Sequence, residues 1–202
     1  MSDCVERSIE NLLCDAYNEM FLERKNHLLY FAEEGISFEL WLTTELAVYL
    51  RKRGCKVYFT PRVTVKEKYV GPDGSLAEKI TCKFLDLVVI KGLERYAMEI
   101  KIAIPVTQEK YKDSCKDDIH KLSSLQHIIT QNINDNIAVN NIKKLFILFT
   151  ASCVDKEKYK KGWKRWLDYI FDNQSEDYVV ASTFAEEKKG EATAVVYHKF
   201  VK

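Results

Sequence analysis

Apolar positions change their period several times along this 202-residue chain, and each change marks an element. Up to Glu34 the sequence, including "SIENLLCDAYNEMFLERKNHLLYFAEE", is mostly helix-forming, and Gly35 ends the region. Ser37 is placed to cap a second helix, "SFELWLTTELAVYLRKRG". In it Phe38, Trp41, Leu42, Leu46, Val48, Tyr49 and Leu50 form a broad apolar face, and Gly54 supplies the stop. The pattern then turns to β-branched and aromatic residues in "KVYFTPRVTVKEKYV". "GPDG" at 71–74 predicts a turn, with the chain returning through "EKITCKFLDLVVI". A third strand, "ERYAMEIKIAI", follows a turn at Gly92.

Beyond Pro105, "DSCKDDIHKLSSLQHIITQN" carries Ile119, Leu122, Leu125, Ile128 and Ile129 at helical spacing, and "KLFILFTAS" reads as a short buried strand. The tail offers a helix, "KYKKGWKRWLDYIFDN", and two strands, "YVVASTF" and "TAVVYHKF". Trp163, Trp166, Leu167, Ile170 and Phe171 recur at the period of a core-facing stripe rather than a base-stacking platform. The order helix, three strands, helix, strand, with additions at both ends, predicts an α/β fold. It has a central mixed sheet flanked by helices, an N-terminal helical extension and a C-terminal helix plus strands. This length fits one domain spanning residues 1–202, with its core at about 37–152.

One stretch breaks the rule that buried strands are apolar. In "KFLDLVVIKGLERYAMEIKIAI", Asp86 lies among Leu85, Leu87, Val88, Val89 and Ile90, apolar on both phases of the alternation, as in a strand covered on both faces. Glu99 and Lys101 interrupt the next strand. A turn at Gly92 and Leu93 pairs Lys91 with Glu94, and this register sets residue 86 opposite residue 99. Lys101 then shares the face of Glu99, while Met98, Ile100 and Ile102 point to the other. Two carboxylates so close repel and raise each other's pKa unless a cation lies between them. Mg²⁺ suits such a pair, since it takes oxygen ligands and typically uses one or two carboxylates plus water and substrate phosphate. Water polarised by the metal becomes a nucleophile, and Lys101 is placed to orient or deprotonate it or to support the charged transition state. The chemistry expected is metal-dependent phosphodiester hydrolysis. A half-exposed hairpin that happens to carry an Asp, a Glu and a Lys is the bland alternative.

Composition changes this picture little. With 47% hydrophobic and 30% charged residues the chain is ordinary for a globular protein, and disorder is not expected. The net charge of +1 hides an asymmetry, because the first fifty residues hold three basic side chains against ten acidic ones. The remainder is basic, which permits a polyanionic partner. Lysines at 156, 158, 160, 161 and 164 are candidate backbone contacts, although a solvated charged face is their commoner use. Six scattered cysteines without a C-x-x-C pair, and no export signal, predict a reducing, cytoplasmic setting. No apolar run approaches a membrane span. His120 and His127 sit two turns apart on the expected helix, but no Cys joins them at zinc-ligand spacing.

The element order, with Asp on the second strand and Glu-x-Lys on the third, resembles the common core of the PD-(D/E)XK nuclease superfamily, the restriction-endonuclease-like fold (αβββαβ). The resemblance covers roughly residues 37–152; Leu85 stands where the namesake motif has proline. It implies that Asp86 and Glu99 bind Mg²⁺ or Mn²⁺, that Lys101 assists the water, and that the Ile100 carbonyl is a further metal ligand. It also implies an acid on the first core helix. Glu39 and Glu45 are both available, about 120° apart around the axis; Glu45, nearer the apolar stripe, is preferred. "DDIHKLSSL" is similar to the helix that follows Glu-x-Lys in many relatives, making Lys121 a candidate phosphate contact. The expected activity is a Mg²⁺-dependent endonuclease acting on DNA, and pairing into a homodimer is compatible with it. The alternative is a catalytically silent module of the same fold that binds nucleic acid or protein. Nothing in these residues separates DNA from RNA.

Overall fold

The computed structural model describes residues 8–34, 37–103, 110–129, 141–152, 165–172, 179–185 and 193–201. The architecture is α/β, a mixed sheet flanked by helices. The N-terminal region forms α1 (Ile9–Glu23) and α2 (Lys25–Glu34), and α3 (Glu39–Lys52) follows. Ser8 caps α1, its hydroxyl accepting from the Asn11 N–H at 3.3 Å. Ser37 does not cap α3. Phe38 occupies that position without a side-chain bond, and its ring is buried against Phe31 and Phe149 instead. Val48 is exposed, so the apolar face of α3 is narrower than its sequence implied.

The expected first strand is divided into β1 (Lys56–Phe59) and β2 (Arg62–Val70), and the second into β3 (Leu76–Phe84) and β4 (Leu87–Lys91). Phe59 faces Leu87 on one side of the break and Arg62 faces Phe84 on the other, so the hairpin keeps its register while it bends. Thr60, at a φ of 47°, makes the corner. Two bonds bridge it, from Thr60 N to Asp86 O (2.9 Å) and from Leu85 N to Pro61 O (3.1 Å). The "GPDG" turn forms as expected. Gly74 has a φ of 77°, and Asp73 Oδ1 accepts from the Ser75 N–H at 3.1 Å.

The bend sends the two halves of the hairpin into different sheets. A six-stranded sheet runs β1-β4-β5-β7-β9-β8, where β5 is Glu94–Ala103, β7 Ile142–Ser152, β8 Val179–Ala185 and β9 Thr193–Val201. Among the described residues only the β5–β7 pair is parallel. A second sheet runs β3-β2-β6, with β6 at Leu125–Ile129. The helix expected through residue 132 stops earlier: α4 is Lys110–Ser123, and the Ser123 and Ser124 hydroxyls turn back onto the His120 carbonyl, both at 2.8 Å. Its helical-looking apolar spacing continued into a strand in which Leu125 and Ile128 are buried. His127 therefore lies exposed on β6, not on the helix of His120.

Each face of the large sheet has its own core. Met98, Ile100 and Ile102 of β5 pack with Leu87, Val89, Leu145 and Ile147 beneath α1–α3. Val88, Ala97, Phe146 and Leu148 face α4 and the helical residues 165–170, with Cys115, Leu122, Trp166, Leu167 and Ile170. β4 is thus covered on both sides, as its unbroken apolar run required, but Asp86, expected within the strand, stands in the bend just before it. Trp163 and the lysines from 156 to 164 lie outside the described residues. Cys14, Cys55, Cys82 and Cys115 are free thiols. Among the described residues no helix is long and apolar enough to cross a membrane.

Candidate functional site

Lys91 pairs with Glu94 across the Gly92–Leu93 turn, the register inferred from sequence, and the ladder runs back to Leu87 opposite Met98. There β4 ends and its ribbon bends away, whereas β5 continues to Ala103. A notch is left beside β5 from Glu99 onward. The exposed strand edge needs hydrogen-bond partners, and two carboxylates provide them. Asp86 Oδ2 accepts from the Ile100 N–H at 2.6 Å, and the Glu39 carboxylate accepts from the Ile102 N–H. A strand residue directs its N–H and C=O to the same edge, so the Ile100 carbonyl also faces the notch.

Glu99 and Lys101 project from β5 on the α4 side. The Lys101 ammonium lies 3.0 Å from Asp118 Oδ2 and 3.4 Å from Glu39 Oε2. Lys121 lies 2.8 Å from Glu99 Oε1, 3.1 Å from Asp118 Oδ1 and 3.2 Å from the Phe84 carbonyl, to which it donates. The structure therefore gathers Asp86, Glu99, Lys101 and Lys121 in one place. Lys121 is no solvated surface lysine, since its side chain is only 14% exposed.

Glu45 is not among them. It lies two turns along α3, where it lines a cleft toward α1 with Ala16, Glu19 and Lys52. The helix acid at the notch is Glu39, because α3 presents its first turn, not its middle, to the open edge of β5. Preference for the residue nearest the apolar stripe misled here: that stripe faces the core, and the notch lies at the helix end. Asp118 was not singled out from sequence. Its signal was the i, i+3 spacing to Lys121 on α4, which places the two on one helix face.

Charge is unbalanced in this notch. Four carboxylates (Glu39, Asp86, Glu99, Asp118) face two ammonium groups (Lys101, Lys121). With all ionised the group is two charges short of neutral, which is the charge of one divalent cation. Burial, and then the charge of Asp86, push the Glu99 carboxyl up to about 9 against the pull of Lys121. Burial also raises Asp86 and Glu39 despite their hydrogen bonds and the nearby lysines. Lys101 moves the other way to most buried lysines. Desolvation lowers it, but Asp118 and Glu39 outweigh that and hold it firmly protonated.

An all-oxygen set of this kind fits Mg²⁺ or Mn²⁺. Among the described residues no three His, Cys, Asp or Glu side chains form a ready-made cage for a metal ion. Mg²⁺ does not require one, since it keeps several waters and uses one or two carboxylates with substrate oxygens. Asp86, Glu99 and the Ile100 carbonyl are the groups that would hold it. Comparison of the chain with models of known protein families, with curated proteins and with solved structures gives no match.

Proposed function

We propose that this protein is a divalent-metal-dependent endonuclease, with a restriction-endonuclease-like core, that hydrolyses phosphodiester bonds in DNA. The observation that carries the reading is the meeting of Asp86, Glu99 and Lys101 in one notch, whose four carboxylates and two ammonium groups fall two charges short of neutral once all are ionised. A fold that needed only a tidy strand edge has no reason to bury Glu99 to 2% exposure beside a second acid. The bound metal would supply Lewis-acid activation of water and of the phosphate. Asp86 and Glu99 would supply its oxygen ligands. Lys101 is held protonated by Glu39 and Asp118. It therefore serves as a hydrogen-bond donor that orients water and offsets phosphate charge, and the alternative of Lys101 as proton acceptor is disfavoured. Lys121, which lies 2.8 Å from Glu99 Oε1, would contact a phosphate oxygen once Glu99 has another cation. The catalytically silent module is the second reading, and it predicts no metal site.

Calorimetric titration with Mg²⁺ and Mn²⁺ separates them. Binding should tighten as pH rises from 6 to 9 and should release protons, because the carboxyl of Glu99, at about 9 without metal, must ionise to coordinate. DNA cleavage should follow the same rise. Absence of binding by the wild-type chain across this range contradicts the nuclease reading.

A further inference from the structure

The strand that leads into the notch has an unpaired edge. β3 is the outer strand of the small sheet, and among the described residues none pairs with its far side. The Gly71 N–H donates to Ser75 O (2.7 Å) and the Leu85 N–H to Pro61 O (3.1 Å), which sets the phase of the β2–β3 ladder. Odd-numbered β3 residues bond to β2. Leu76, Glu78, Ile80, Cys82 and Phe84 turn their N–H and C=O groups outward. Of these, the Phe84 carbonyl already accepts from Lys121. The same five side chains share one face, on which Leu76 is 78%, Ile80 67% and Phe84 62% exposed. A nine-residue edge with large apolar side chains is what soluble proteins ordinarily blunt or cover.

We propose that β3 pairs with β3 of a second copy of this chain, antiparallel, on a two-fold axis through Ile80. The proposal does not rest on the nuclease reading. It rests on the symmetry of the pattern: Leu76 and Phe84 each lie four residues from Ile80. In this register Ile80 faces itself, Leu76 faces Phe84, and Glu78 faces Cys82, so no like charges stand directly opposed. On the reverse face Lys79 meets Thr81, and Lys83 meets Ala77. Glu67 neutralises both lysines, at 3.8 Å from Lys79 and 2.5 Å from Lys83. A slip of two residues in either direction sets Ile80 against Glu78 or Cys82 and loses the match. The outcome is one six-stranded sheet across two molecules, β6-β2-β3 continued by its own mirror order. A polyanion fits the face less well. Lys66 is spent on Glu78 at 2.5 Å, and Phe84 is the one aromatic ring among the five outward side chains, where a run of stacked bases needs several.

Light scattering of the full chain should return twice the 23.6 kDa chain mass at tens of micromolar, on the order of ordinary dimer affinities. Ile80→Glu sets two carboxylates face to face at the axis and should weaken the dimer by about 100-fold or more. Ile80→Pro removes only an outward N–H, leaves the β2 ladder intact, and should weaken it too. Amide exchange gives the register. The N–H groups of Glu78, Ile80 and Cys82 should slow as the dimer forms, while that of Thr81, already bonded within the sheet, should not change. A wild-type chain that stays monomeric at 100 micromolar overturns the proposal, and such a face would then belong to another partner. A dimer untouched by both substitutions, or one without alternating protection along β3, overturns it equally.

Discussion

Glu99→Gln is expected to abolish metal-dependent cleavage and at the same time to stabilise the metal-free fold at alkaline pH. The first effect follows from losing an anionic ligand in the notch, with a fall of about 1000-fold or more in turnover. The second follows from the sign of the shift. The Glu99 carboxyl lies near 9 in the folded state against an ordinary 4.5, so between those values the folded chain holds a proton that the unfolded chain has released. Stability therefore falls as pH rises through that window. Glutamine cannot ionise and removes this part of the slope. Wild type and variant should unfold at similar urea concentrations near pH 5. By pH 9 in a chelator the variant should be ahead, with its unfolding midpoint at clearly higher urea than wild type. An acid of purely structural value would show the reverse, with the variant weaker at every pH.

Lys101→Met is expected to be harmful twice. Removing the ammonium withdraws the charge that supports the transition state, lowering turnover by about 100- to 1000-fold. It also strands Glu39, whose carboxylate lies 3.4 Å from that nitrogen, and leaves Asp118, at 3.0 Å from it, with Lys121 alone. Breaking a buried pair costs about 3 kcal/mol, so the variant should unfold earlier. The two effects separate in a double variant. Lys101→Met with Glu39→Gln should recover part of the stability, since the stranded charge has gone, and none of the activity. Glu45→Gln, a substitution outside the notch, should leave both unchanged. Recovery of cleavage in the double variant, with its metal binding intact, would show that Lys101 serves the fold rather than the reaction.

The central strand pair was legible because its determinants are local. A turn at Gly92, a period of two, and an acid among residues apolar on both phases sufficed to place Asp86 beside β5 and Glu99 with Lys101 on one face. The bend at Thr60 has one local mark, Pro61, which cannot donate to the ladder, and it was read through as continuous strand. Its register is unbroken, so no insertion or run of glycines betrays it, and packing against two separate cores divides the hairpin. The notch exists because of that bend, which is why the choice between Glu39 and Glu45 failed: the side of the helix could be read, but not which end meets the open strand. Asp118, and the pairing of Lys121 with Glu99, required knowing that α4 crosses directly over Glu99 and Lys101. β6 was hidden because Leu125 and Ile128, three residues apart, keep the helical period; both are buried in a strand only because a bulge at Gln126 shifts the pairing with β2 between Thr64 and Val65.

Crystals of the wild-type chain soaked in Mn²⁺ at pH 8 to 9 and measured for anomalous scattering put the matter most simply. The expected map has a peak in the notch about 2.1 Å from oxygens of both Asp86 and Glu99, facing the Ile100 carbonyl, with Lys121 drawn back from Glu99. A map without that peak, in which Lys121 still rests against Glu99, would mean that the ammonium is the permanent counter-ion of this acid and that the notch holds no metal.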